Sequence, residues 1–286
     1  MNNLNFISRR SFLGLMAAAP LAAALPSSKQ IPVGLETVSV AREFAKDMIG
    51  TLRAVAGMGY QCVEFFSWKE GGQFYYDWTL EYATQVRAAL DDLNIRCYST
   101  HNPTQAFTPD GIGKAIDLNK VLGARYVVGM ASEKVASLDD FKSVAETLNR
   151  ANETLKKHGL RVAYHNEVIE WKPVDGKLPM ELLAATLDKS IMLQLDMGPC
   201  LETGNDPAAW INRNPGRIHS MHIKDWSPDR GYKVLLGEGI AHWKDIFAAA
   251  EKTGGIEYYL IEEEGSEYSE MDTARKCFRL FRKLHG

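Results

Sequence analysis

From residue 31 to the C-terminus, short apolar runs alternate with longer segments in which apolar residues recur at helical spacing. The short runs, rich in Val, Ile, Leu, Tyr and Met, predict eight strands. They are Ile31–Val38, Cys62–Phe66, Ile95–Thr100, Tyr126–Gly129, Arg161–Asn166, Met192–Asp196, Ile218–Ile223 and Tyr258–Glu262. The 3.6-period segments between them predict helices that include Leu80–Leu93, Leu138–His158, Pro179–Leu187, Trp243–Thr253 and Met271–Leu284. Gly57/Gly59, Gly123, Gly159 and Gly254/Gly255 stand just before a strand, where a residue that adopts positive φ cheaply ends a helix. Ser137, followed by Leu138-Asp139-Asp140, has the make-up of an N-cap.

Eight strand–helix units predict an α/β protein with the (β/α)8 TIM-barrel fold, a single domain over residues 31–286. A doubly wound open sheet would carry a glycine-rich phosphate loop after its first strand, and Leu35–Ser39 has none. The Trp171–Pro179 region reads as a long strand-to-helix loop and not as a linker.

Composition narrows the picture. The chain has 286 residues, 45% of them hydrophobic, and a formal charge of −3, which argues against a nucleic-acid-binding face. No apolar run approaches the ~20 residues needed to span a bilayer. Cys62, Cys97, Cys200 and Cys277 are scattered and read as buried thiols, neither a disulfide framework nor a zinc knuckle. Residues 1–24 contain no acid, and Arg9-Arg10-Ser11-Phe12-Leu13 leads into an Ala-rich apolar stretch ending in Ala22-Ala23-Ala24. This pattern is that of a twin-arginine signal peptide and implies a periplasmic mature protein.

In such a barrel the chemistry lies where the strands end. Those positions hold Glu64, then His101, then His165, Glu167 and Glu170, then Asp196, His222 with Lys224, and Glu262 with Glu264. Taken singly each has a plain account: His101 as a turn or core histidine, Asp196 as a cap for the helix near Pro207, the acids at 262–264 as a solvated loop. Strand alternation, however, turns Ser220, His222 and Lys224 to one face, and Glu262 and Glu264 likewise. Together these groups form a mixed oxygen and nitrogen set for a divalent ion such as Mn²⁺, Mg²⁺, Co²⁺ or Zn²⁺. Trp68, Phe74, Tyr75, Tyr76 and Trp78 are either plain packing or an aromatic loop that suits a sugar ring above the mouth. HExxH, GxSxG and P-loop motifs are absent.

The run Tyr164-His165-Asn166-Glu167-Val168-Ile169-Glu170-Trp171 resembles the Y-H-N-H-x-x-E-F signature of the xylose-isomerase-like barrels of sugar phosphate isomerases and epimerases. The resemblance continues through Gln194-Leu195-Asp196, His222-Ile223-Lys224-Asp225, Gly237-Glu238-Gly239 and Tyr259–Glu264, and covers the chain from Ile31 onward. It implies a divalent-metal site of Glu170, Asp196, His222 and Glu262. The chain departs from the pattern at Glu167, where a histidine is expected, and strand parity makes Glu167 the alternative fifth-strand ligand. The usual first-strand Q-L-Y-S-V-R is also altered, to Leu35–Val40.

Such a site suits proton transfer next to a carbonyl, giving a metal-dependent isomerase or epimerase on a free or keto-sugar. Glu167 and His165 are the expected acid/base residues, with Lys224 orienting the substrate and His101, Glu64, Trp68 and Glu264 in contact with it. Export favours free or oxidised sugars over sugar phosphates. Two other readings share the site: a 3-keto-glycoside lyase, hydratase or sugar dehydratase, and a non-catalytic periplasmic sugar-binding protein. A metal-dependent nuclease on the same barrel would need a basic face that this acidic chain lacks. Assembly into a homo-oligomer is compatible with the sequence.

Overall fold

The structure, a computed structural model, describes residues 31–66, 75–132 and 134–286. The signal-peptide reading, Trp68 and Phe74 lie outside the described residues. Eight strands close into a parallel barrel in sequence order. They are β1 (Val33–Glu36), β2 (Cys62–Phe65), β3 (Arg96–His101), β4 (Tyr126–Gly129), β5 (Arg161–His165), β6 (Met192–Asp196), β7 (Ser220–Ile223) and β8 (Tyr258–Ile261). The helices are α1 (Ala41–Lys46), α2 (Met48–Met58), α3 (Leu80–Asp92), α4 (Ile112–Leu122), α5 (Leu138–Lys156), α6 (Pro179–Thr186), α7 (Met197–Glu202), α8 (Pro207–Arg213), α9 (Trp243–Ala249) and α10 (Glu270–His285).

The elements follow local signals. Ser137 caps α5 by accepting from Asp140 N at 3.1 Å, and Asp140 returns the contact to Ser137 N. Gly59 and Gly123 end α2 and α4 in the left-handed conformation. The first strand is shorter than its apolar run, because Glu36 accepts from Val38 N and turns the chain into a 3₁₀ segment, Thr37–Val40. α9 widens at its end into a π-helical turn, Ala250–Gly254. The cap of α8 is Asp206, not Asp196: Asp206 accepts from Ala208 N, while Asp196 accepts from Gly198 N in α7. All four cysteines are buried free thiols. Among the described residues no helix is long and apolar enough to cross a membrane.

The main apolar core fills the layer between barrel and helices, with Leu35, Val63, Val127, Val162, Leu193, Met221 and Ile261 facing outward from the strands. Inside the barrel, Cys62, Tyr126, Val128, Ala163, Met192, Tyr258 and Leu260 form a smaller apolar plug. Alternation then brings polar residues inward at the C-terminal end of the same strands. In β3 the register jumps from Cys97 to Ser99 against Val63 and Glu64, a bulge that admits one extra residue, Tyr98.

Candidate active site

Three imidazoles floor the barrel mouth. The ring centres of His101 and His165 lie 4.5 Å apart, those of His165 and His222 4.6 Å, and those of His101 and His222 5.4 Å. Each ring stands at the last inward position of its strand, and all three are buried.

On one side of this floor are Asp196, His222 and Glu262, whose ligand atoms lie within 4.8 Å of one another. His222 Nδ1 pairs with Glu262 Oε2, and Lys224 Nζ donates to Glu262 Oε1 at 2.8 Å. Lys224 Nζ is also 3.6 Å from Asp196 Oδ2 and bonded to Glu264 Oε1. The ring of Tyr232 lies against the ammonium, 4.6 Å from its centre. Strand parity therefore brings Lys224, Glu262 and Glu264 together.

Below the imidazoles is Glu64, fully buried. It accepts from Gln194 Nε2 at 2.8 Å, from His222 Nε2 at 2.8 Å, and from Ser99 Oγ, with His101 Nε2 at 3.0 Å. A substrate at the mouth does not reach it, so the expectation of a substrate contact at Glu64 is corrected: the carboxylate lies under the floor. Glu36 stands directly opposite Glu64 in the β1–β2 register and is also buried. Gln194 was quoted in the sequence only as a neighbour of Asp196. Its place two residues back along β6 gives it the same inward face.

The charges are set by burial working against partners. Burial opposes ionisation of Glu64, but His101 and His222 outweigh it and hold the carboxyl well below the usual range. Burial likewise opposes the charge on Glu262, and Lys224 and His222 outweigh it. His222 and Lys224 are desolvated yet raised by the acids around them. His165 is held well below the usual imidazole value by burial and by His101 and His222, so it is neutral. Asp196 is pushed up to about 6, chiefly by burial.

Glu167 and Glu170 part company after β5. Glu167 is half-buried at the mouth, its Oε1 3.8 Å from His165 Nε2. Desolvation, then the Asp196 and Glu262 carboxylates, push it up to about 8. Glu170 is not brought into the Asp196–His222–Glu262 group. The 3₁₀ turn Val168–Trp171 folds it back, so that Tyr164 OH donates to its Oε1 at 2.5 Å and Glu167 N to its Oε2 at 2.9 Å. The aromatic residues also divide. Tyr75, Tyr76 and Trp78 are buried, with Tyr75 OH donating to Asn102 and Tyr76 OH to Gly111 O, so they are packing and not a sugar platform.

The two motifs after β7 form one unit. Asp225 accepts from Trp226 N (2.9 Å), Gly237 N (2.9 Å), Gly239 N (3.1 Å) and Ala241 N (3.2 Å), stapling the 237–241 loop beside Lys224. A Cβ on Gly239 would lie 2.2 Å from Asp225 Oδ1, and Gly237 has φ +86°, so both glycines are required by the staple.

A closed parallel (β/α)8 barrel with acids and imidazoles gathered at the C-terminal strand ends is the class that this fold and site define. The family model of the xylose isomerase-like TIM barrel matches residues 52–284, and the chain belongs to that family. An inosose dehydratase of Clostridium beijerinckii is 21% identical over 143 residues, 44% of this chain and 48% of that protein. The chain spans about half the length of the curated relatives it matches. A sugar phosphate isomerase/epimerase structure from Parabacteroides distasonis aligns with TM-score 0.75 and 26% identity, covering 94% of this chain and 99% of that one. The IolI protein, solved with a zinc atom, shares the fold at TM-score 0.69 and 14% identity, covering 89% of this chain and 98% of its own. The buried carboxylate–imidazole cluster of this chain is compatible with a divalent metal.

Proposed function

We infer that this protein is a divalent-metal-dependent sugar isomerase or epimerase that moves a proton next to a carbonyl of a free or keto-sugar. The observation that carries the reading is the convergence of Asp196, His222, Glu262, Glu167 and Lys224 at one mouth. Asp196, His222 Nδ1 and Glu262 fit a cation as donors. His165 Nε2, 3.9 Å from Asp196 Oδ2, is the group nearest to complete the set. A bound cation supplies Lewis-acid polarisation of the carbonyl and its neighbouring hydroxyl.

Glu167, whose carboxyl titrates at about 8, then takes a proton from the carbon beside the carbonyl and returns it. A group poised near ambient pH serves both directions. Lys224, held as an ammonium, donates to a substrate oxygen in place of one of its carboxylate partners. Return of the proton to the opposite face gives an epimer, and return to the neighbouring carbon gives an isomer. The inosose dehydratase relatives favour a second outcome from the same first step, loss of a β-substituent from a keto-sugar. The export-signal reading directs the choice toward free or oxidised sugars.

The test is to strip the mature protein with a chelator and reload it with Mn²⁺, Mg²⁺, Co²⁺ or Zn²⁺. It is then incubated in D₂O with free and 3-keto sugars and followed by NMR. Metal-dependent deuterium incorporation beside the carbonyl, with an epimer or isomer formed, is expected. Elimination with the same metal dependence would select the second outcome. Binding of the sugars without exchange under every metal would overturn both and leave a sugar-binding protein.

A further inference from the structure

We propose that Glu64 is a positioning residue that sets the tautomers of His165 and His222, so that both imidazoles turn a lone pair toward the barrel mouth. For His222 this rests on the metal reading above; for His165 it does not.

The geometry runs outward from one carboxylate. Ser99 Oγ accepts from Tyr258 OH at 2.9 Å and therefore turns its own proton to Glu64. With Ser99, Gln194 and His222 donating to it and His101 Nε2 at 3.0 Å, the two oxygens of Glu64 act as acceptors only. Gln194 must then present its NH₂ to Glu64 and to Ser220 Oγ (3.3 Å), which turns its carbonyl oxygen toward the histidines. His165 Nδ1 lies 3.1 Å from that oxygen and must donate to it. The remaining nitrogen of His165, Nε2, carries the lone pair, and it faces Glu167 (3.8 Å) and Asp196 (3.9 Å).

His222 is set directly. Its Nε2 donates to Glu64 at 2.8 Å, so the proton it gives up to a cation is the one on Nδ1, on the side of Glu262. One buried acid thus orients two rings on neighbouring sides of the floor, one by contact and one through an amide. This is the role an outer carboxylate plays behind a metal-bound histidine, extended here to a second ring. Gln194 cannot replace Glu64 in this task, because an amide oriented by nothing could present either end to His165.

The experiment compares the mature protein with Glu64→Gln, Gln194→Leu and Ser99→Ala. Ser99→Ala touches Glu64 but no histidine, and serves as the control for a merely structural loss. Long-range ¹H–¹⁵N correlation in the metal-free protein reads the His165 tautomer, and Zn²⁺ titration reads affinity. We expect His165 to be the Nδ1–H tautomer in wild type and in Ser99→Ala, and to lose that preference in Glu64→Gln. Zinc affinity should fall by about 10- to 100-fold in Glu64→Gln. Gln194→Leu should disturb the His165 signals and leave the Nε2–H of zinc-bound His222 in place. That arm keeps the test open should Glu64→Gln fail to fold. Unchanged His165 tautomers in both Glu64→Gln and Gln194→Leu, or equal effects of Ser99→Ala, would overturn the proposal. Failure of wild type to take up zinc would refute the metal reading while the His165 comparison still decides the role of Glu64.

Discussion

Glu170→Gln distinguishes a metal ligand from a carboxyl that only holds a turn. Glu170 is fully buried, accepts from Tyr164 OH and Glu167 N, and is pushed by burial from 4.5 up to about 7. Between those two values the native carboxyl binds more protons than the unfolded chain. Its contribution to stability therefore falls as pH rises through that window. A difference of about 2.5 pH units, at about 1.4 kcal/mol each, corresponds to about 3 kcal/mol. Glutamine has the same shape and no charge to bury, so it escapes this loss. At pH 4.5 the variant should be about 1 kcal/mol less stable than wild type, the cost of a rearranged hydrogen bond to the buried Tyr164 hydroxyl. At pH 8 it should be more stable by about 2 kcal/mol, the net of those two effects. Urea unfolding followed by tryptophan fluorescence at pH 4.5, 6, 7 and 8 measures the difference, and metal analysis of the same samples should show unchanged content. A stability difference that does not vary with pH would refute the burial argument. Loss of metal from Glu170→Gln would restore Glu170 as the fifth-strand ligand.

Three further outcomes are expected. Glu167→Gln should retain metal and slow deuterium incorporation into substrate by about 10²–10⁴-fold, as removal of a general acid–base does; full exchange in this variant would assign the proton transfer elsewhere. Asp196→Asn, His222→Ala and Glu262→Gln should each lose most bound metal and activity while circular dichroism stays that of a folded barrel, because these residues sit above the apolar plug; full metal occupancy in any two would mean the group is misassigned. Replacement of both Arg9 and Arg10 by Lys should leave precursor in the cytoplasm, and an unchanged periplasmic yield would remove the twin-arginine assignment.

Particular residues show how far a sequence carries. The barrel was legible because its eight strands are bounded by glycine and polar residues and separated by helical-period segments. The meeting of Lys224 with Glu262 and Glu264 was legible too, since alternation alone turns those side chains to one face. Glu170 was not, because its acid matched a motif position while a 3₁₀ turn, set by backbone contacts to Glu167, folded it back against Tyr164. Tyr75, Tyr76 and Trp78 looked the same as a binding platform until their hydroxyl partners and burial placed them in the core.

The sequence by itself determined which residues form strands, which form helices, and which face of each strand is polar. Those properties are local: they follow from periods of 2.0 and 3.6 residues and from caps and glycines near in the chain. The tertiary structure alone decided height. Closing eight staggered strands puts Glu64 beneath His222 and His101, sets Gln194 between His101 and His165, and leaves Glu167 at the rim. Depth along a barrel axis depends on strand tilt and on the register of every neighbouring pair, including the bulge in β3. No single strand carries that information, so the difference between a residue that meets substrate and one that orients it from below appears only when the barrel closes.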